Sequence, residues 1–112
     1  MDRLNQYRPL IERLLGEQLE FIADDKQVEG VSIVDKTREN YLLVEIGWQH
    51  PRRIYNVVFH VRLKEGKIWV EQDWTREGIA HELISAGVPA ELIVYGYQSP
   101  EIRPYIHPDL SH

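Results

Sequence analysis

The chain has 112 residues, enough for one domain, with a net charge of −5 and no cysteine. The missing cysteines exclude disulfides, thiolate nucleophiles and zinc fingers together, and they fit a reducing, cytoplasmic home. The acidic balance disfavours generic nucleic-acid binding, and no segment nears the roughly 20 apolar residues of a membrane span.

The start, Met1-Asp2-Arg3-Leu4-Asn5, lacks the basic-then-apolar build of a signal peptide. From residue 4 to 22, Leu4, Tyr7, Ile11, Leu14, Leu15, Leu19 and Ile22 recur at helical spacing, which predicts an amphipathic helix with Asp2 as a plausible N-cap. Pro9 lacks an amide donor and pushes Arg8 out of the α region, so either the helix kinks there or its regular part starts at Pro9. Four strand-like segments follow, at about 28–35, 40–48, 53–63 and 67–73. Between them lie the turns Lys36-Thr37-Arg38-Glu39, Gln49-His50-Pro51-Arg52 and Glu65-Gly66. Such short connections predict an antiparallel meander.

Register follows from the turns. The last one pairs Leu63 with Ile68, Val61 with Val70 and Phe59 with Gln72. The middle one pairs Ile46 with Tyr55, Val44 with Val57 and Leu42 with Phe59. The first pairs Ile33 with Leu42 and Val31 with Val44. All three place the same residues on one apolar face, and a one-residue slip would turn that face over. The other face pairs Tyr41 with His60, Glu45 with Asn56, His60 with Glu71, Val58 with Asp73, and Arg62 with Trp69 as a cation–π contact.

A second helix carries Ile79, Ala80, Leu83 and Ile84 inward, capped by Thr75 or Asp73, with Gly78 in its first turn. Gly87 and Val88-Pro89 end it. Leu92-Ile93-Val94-Tyr95 is short, apolar and β-prone, and Pro89, Pro100, Pro104 and Pro108 predict an irregular tail packed along the domain. The fold class expected is α+β, a four-stranded antiparallel meander whose apolar face is covered by the two helices.

No catalytic motif stands out. No two of His50, His60, His81, His107 and His112 share an i, i+4 helical spacing suited to a metal. His60 with Glu71 reads as a cross-strand contact, and Asp73 with Glu77 as capping near a helix N-terminus. The serines lack a Gly-x-Ser-x-Gly elbow. Neither a catalytic residue, a metal nor a cofactor is expected. Residues 50 to 67 carry Arg52, Arg53, Arg62, Lys64 and Lys67 against Glu65 alone, which is either a solvated hairpin or a contact patch. Trp48, Trp69 and Trp74, with Tyr41, Tyr55, Tyr95 and Tyr97, exceed what a core of this size needs, and aromatics with Arg are typical interface anchors.

At Gly47-Trp48, Arg52-Arg53-x-Tyr55, His60, Gly66-Lys67-Ile68-Trp69, Gln72-Asp73-x-Thr75-x-x-Gly78-Ile79-Ala80, Leu83, Gly87-Val88-Pro89, Ile93-Val94, Gly96-Tyr97, Pro100 and Arg103, the chain resembles the XisI family, the fdxN element excision controlling factor proteins typical of cyanobacteria. The resemblance spans nearly the whole chain. Trp74, Arg76, Pro9 and the end Ile106-His107-Pro108-Asp109 depart from the family pattern. The resemblance implies a role in controlling excision of a DNA element cut by a separate recombinase, and an XisH-type protein as partner.

The expected mechanism is a non-enzymatic adaptor that binds this partner and forms a homodimer or higher homo-oligomer. The partner-binding candidates are Arg52, Arg53, His60, Arg62, Trp69 and Glu71. Direct DNA binding through the basic hairpin is the alternative, with a metal-dependent nuclease helper using Asp73, Glu77 or Glu71 behind it.

Overall fold

The computed structural model describes residues 3 to 105, so Asp2 as a cap and the divergent end from Ile106 lie outside the described residues. A 3₁₀ turn, Arg3–Tyr7, leads into helix α1, Arg8–Ala23, with Pro9 in its first turn. Proline is tolerated there because the amide it lacks would have no intrahelical acceptor, which decides the Pro9 question in favour of a fresh start over a kink. Strands β1 (Val28–Val34), β2 (Asn40–Gln49), β3 (Arg52–Lys64) and β4 (Lys67–Asp73) follow within a residue or two of expectation. Helix α2 spans Ile79–Ser85, and a short strand, β5, spans Ile93–Tyr95.

The sheet has five strands in the order β1-β2-β3-β4-β5, the last parallel to β4. The expected four-stranded antiparallel meander is therefore corrected to a five-stranded mixed sheet. The return through α2 lets Ile93 and Tyr95 pair beside Ile68 and Val70, burying a segment too short to reveal its partner by itself.

Local chemistry sets the turns. Asp35 accepts hydrogen bonds from the Asn40 side chain and from the Asn40 and Glu39 amides, and these hold its carboxyl well below the usual carboxylate range. Arg38, at φ 57°, pairs with Glu12 and ties this turn to α1. The helix α2 begins later than expected, because Gly78 takes φ 90° and cannot be helical. Asp73 caps α2 from a distance, accepting from the Ile79 amide at 2.7 Å, while its other oxygen holds Thr75.

The near-turn pairings hold, including Leu63 with Ile68, Ile46 with Tyr55 and Ile33 with Leu42. Between the turns two bulges intervene. Leu43 pairs with Phe59 but Val44 with Val57, which leaves Val58 extra on β3. Val61 pairs with Val70 but His60 with Gln72, which leaves Glu71 extra on β4. Each extra residue exchanges the faces beyond it. Leu42 therefore pairs with His60, and Phe59 with Asp73, in place of the expected Leu42–Phe59 and Phe59–Gln72 partners.

The contiguous core under the helices is built on Tyr41, Leu43, Phe59, Val61, Leu63, Ile68 and Val70, with Ile11, Leu14, Leu15, Ile79 and Leu83 from above. The apolar residues expected to join it from the other end of the sheet point the opposite way. Gly30 faces α1, because a Cβ there would meet Leu19 and Ile22, so its neighbours Glu29 and Val31 face away. The open face thus carries the rows Glu29–Ile46–Tyr55, Val31–Val44–Val57 and Ile33–Leu42–His60. Val44 is only 6% exposed and yet lies outside the contiguous core.

Candidate functional site

Two groups of the sequence-derived candidates emerge, at opposite ends of β3. The first is the β2–β3 tip. Here Trp48 stacks on His50 (5.6 Å between ring centroids, 14° between planes), and Arg53 lies 5.4 Å over the Trp48 ring. Arg52 donates to the Gln49 side chain at 2.9 Å. The His50–Pro51 peptide of this tip is cis.

The second group sits on the open face where β3 meets β4. Arg62 and Trp69 are opposite each other as expected, but the guanidinium turns to Glu71, with Nη1 donating to its carboxylate at 3.0 Å. Glu71 can reach it because the bulge adds that residue to β4. Trp69 takes its cations from elsewhere. The Lys64 ammonium lies 4.9 Å and the Arg103 guanidinium 5.3 Å from its ring centre, while its indole N–H donates to the Lys64 carbonyl at 3.2 Å. Arg103 is itself clamped, donating to the carbonyls of Tyr95 (2.9 Å) and Gly96 (3.2 Å). Gly96 leaves room for the site, since a Cβ there would come within 2.1 Å of a Glu71 carboxylate oxygen.

His60 completes the cluster through a 2.9 Å hydrogen bond between its Nε2 and the Asn40 side-chain oxygen. Burial lowers its pKa, Glu71 opposes the shift, and Arg62 adds to it. The expected His60–Glu71 partnership is therefore an electrostatic influence, with Arg62 holding the carboxylate.

The structure brings together His60, Arg62, Trp69 and Glu71 and leaves Arg52 and Arg53 about 25–30 Å away along the strand. Lys64 joins the cluster two residues beyond Arg62 on the same face of β3, and Arg103 is a member that strand alternation does not assign. Arg103 arrives from the proline-bounded tail, where no periodicity marks it. On the helix side, Phe21 and the 76% exposed Trp74 border an open groove floored by Glu45 and Val58, a second feature with no sequence signal. Among the described residues no cluster of His, Asp and Glu suits a metal ion, and no helix is long and apolar enough to cross a membrane.

The chain is 39% identical to a XisI-like protein from Anabaena variabilis ATCC 29413 of known crystal structure. The TM-score is 0.84, and the match covers 93% of this chain and 95% of that one. It is 29% identical to the fdxN element excision controlling factor XisI from the same strain, with a TM-score of 0.77, over 91% of this chain and 99% of that one. No curated protein matches. The family model described as XisI protein matches residues 1–107. With the whole fold and nearly the whole length accounted for, the chain belongs to the XisI family.

Proposed function

We propose that the protein is a non-enzymatic accessory factor for site-specific excision of a DNA element, acting as an adaptor that binds an XisH-type protein. The observation that carries this reading is the β3–β4 cluster. A half-buried tryptophan held between two cations, beside an Arg–Glu pair, is a rigid aromatic anchor with a charged rim. Its side chains are already ordered by intramolecular bonds, so little rotamer entropy is lost on binding. A relative of similar fold is the fdxN element excision controlling factor XisI, which supports the process.

Direct DNA binding gains less support, because the basic hairpin is not a continuous free patch. Lys67 donates to the Glu91 carbonyl at 3.0 Å, Arg62 holds Glu71, and Arg53 lies over Trp48 at the far tip. Counterion release would be divided over both ends of a 13-residue strand.

Co-purification with an XisH-type protein, followed by titration of variants, tests the adaptor. Trp69→Ala is expected to weaken partner binding by about 2 kcal/mol or more, and Arg52→Ala by under about 1 kcal/mol. Unchanged partner affinity for Trp69→Ala, with only the melting temperature lowered, refutes this site. A DNA affinity falling steeply with salt in the absence of partner favours the DNA reading.

A further inference from the structure

The apolar half of the open sheet face has no occupant within the described residues. A sheet covered by helices on one side ordinarily turns polar residues to the other. Here Val31, Val44 and Val57 form one aliphatic row across β1, β2 and β3, flanked by Ile46 with Tyr55 and by Ile33 with Leu42. Ile33 is 44% and Tyr55 66% exposed. Such a contiguous patch marks an interface.

We propose that this face binds a second copy of the same chain, sheet against sheet, with the two-fold axis running along β2. The charges select both the occupant and the axis. On this face β1 presents the exposed acid Glu29, while β3 presents the exposed cation Arg53. An axis along β2 lays β1 of one copy over β3 of the other, so that Glu29 stacks over Tyr55, one row from Arg53, twice per dimer. An axis across the strands would keep β1 over β1 and set the acid Glu29 over the aliphatic Ile33 of the second copy, far from any Arg53. A carboxylate buried there without a cation opposes association.

Size is compatible with this occupant. Three rows across three strands, with the flanking Trp48–Arg53 and Asn40–Arg62 rows across two, cover roughly 400 Å² in plan at about 4.8 Å between strands and about 6.8 Å between rows. Side-chain relief carries this toward the roughly 600 Å² per partner at the low end of specific interfaces. A concentration-dependent dimer follows, with sheets about 10 Å apart. The same geometry leaves β4 projecting past the partner's β1 edge, so Trp69 and Glu71 stay accessible. The two surfaces work side by side, and the dimer stands independently of the adaptor reading.

The test uses the full chain alone, by light scattering and sedimentation up to about 100 µM. A dimer is expected. Val57→Lys and the more exposed Tyr55→Asp should each make it a monomer with an unchanged circular dichroism spectrum. Glu29→Arg should weaken dimerisation about tenfold or more, and adding Arg53→Glu should restore it. A chain that stays monomeric throughout overturns the proposal. So does a dimer that survives both Val57→Lys and Tyr55→Asp, or a charge swap without rescue. A face covered only when a different protein is added assigns it to that protein and overturns it equally. None of these outcomes alters partner binding through Trp69, which is read separately.

Discussion

The two ends of the open sheet face differ in how their side chains are satisfied. At the β3–β4 end nearly every polar group is spoken for: Arg62 by Glu71, His60 by Asn40, Trp69 by Lys64 and Arg103. At the β1–β3 end the surface is mainly apolar, with Val31, Val44 and Val57 at its centre and Ile33, Leu42, Ile46 and Tyr55 around them. A bulge lies between the two kinds of surface. The extra residue Val58 lets Phe59 lie under the helices beside Leu43 while Val57 stays outside beside Val44. One inserted residue thus lets β3 contribute to the core at one end and to the open apolar platform at the other.

The largest expected effect breaks or upholds that exchange directly. In the monomer, Leu43→Ala should cost about 3 kcal/mol on urea unfolding, and its neighbour Leu42→Ala about 1 kcal/mol or less. The reverse order would mean that Leu42, and not Leu43, lies under the helices. The polar end is next. Arg103→Ala removes a clamp on the β5 end and one cation over Trp69, and should cost about 1–2 kcal/mol, read as a lower melting temperature and a shift in tryptophan fluorescence. A fluorescence spectrum unchanged in Arg103→Ala would detach the tail from the cluster.

The smallest effect is a pH dependence. His60 has a pKa below its ordinary 6.5 in the fold, chiefly through burial. Below pH 6.5 the unfolded chain binds the proton more readily, so stability is retained above that value and lost as pH falls toward the lowered folded pKa. His60→Gln should flatten this part of the stability–pH curve while leaving the Arg62–Glu71 pair in place. An unchanged slope below pH 6.5 would assign the dependence to another group.

Much of the site was legible residue by residue. Trp69 and Arg62 do face each other across β3 and β4, because the Glu65-Gly66 turn and two-residue alternation are local rules. Their partners were not legible, since alternation presumes uninterrupted ladders. Arg62 finds Glu71 only because Glu71 is the bulged residue, and Trp69 meets Arg103 only because the tail returns beside β5.

By itself, the sequence determined the first helix, four strands, their turns and the family, because helical spacing, alternation and turn chemistry act over a few residues. Tertiary structure decided the rest. It set β5 beside β4, delayed α2 past Gly78, and chose which face of β1–β3 the helices cover. Each of these depends on contacts between segments distant in the chain, where the gain from packing Tyr41, Leu43 and Phe59 under α1 and α2 outweighs the regular ladder that alternation predicts.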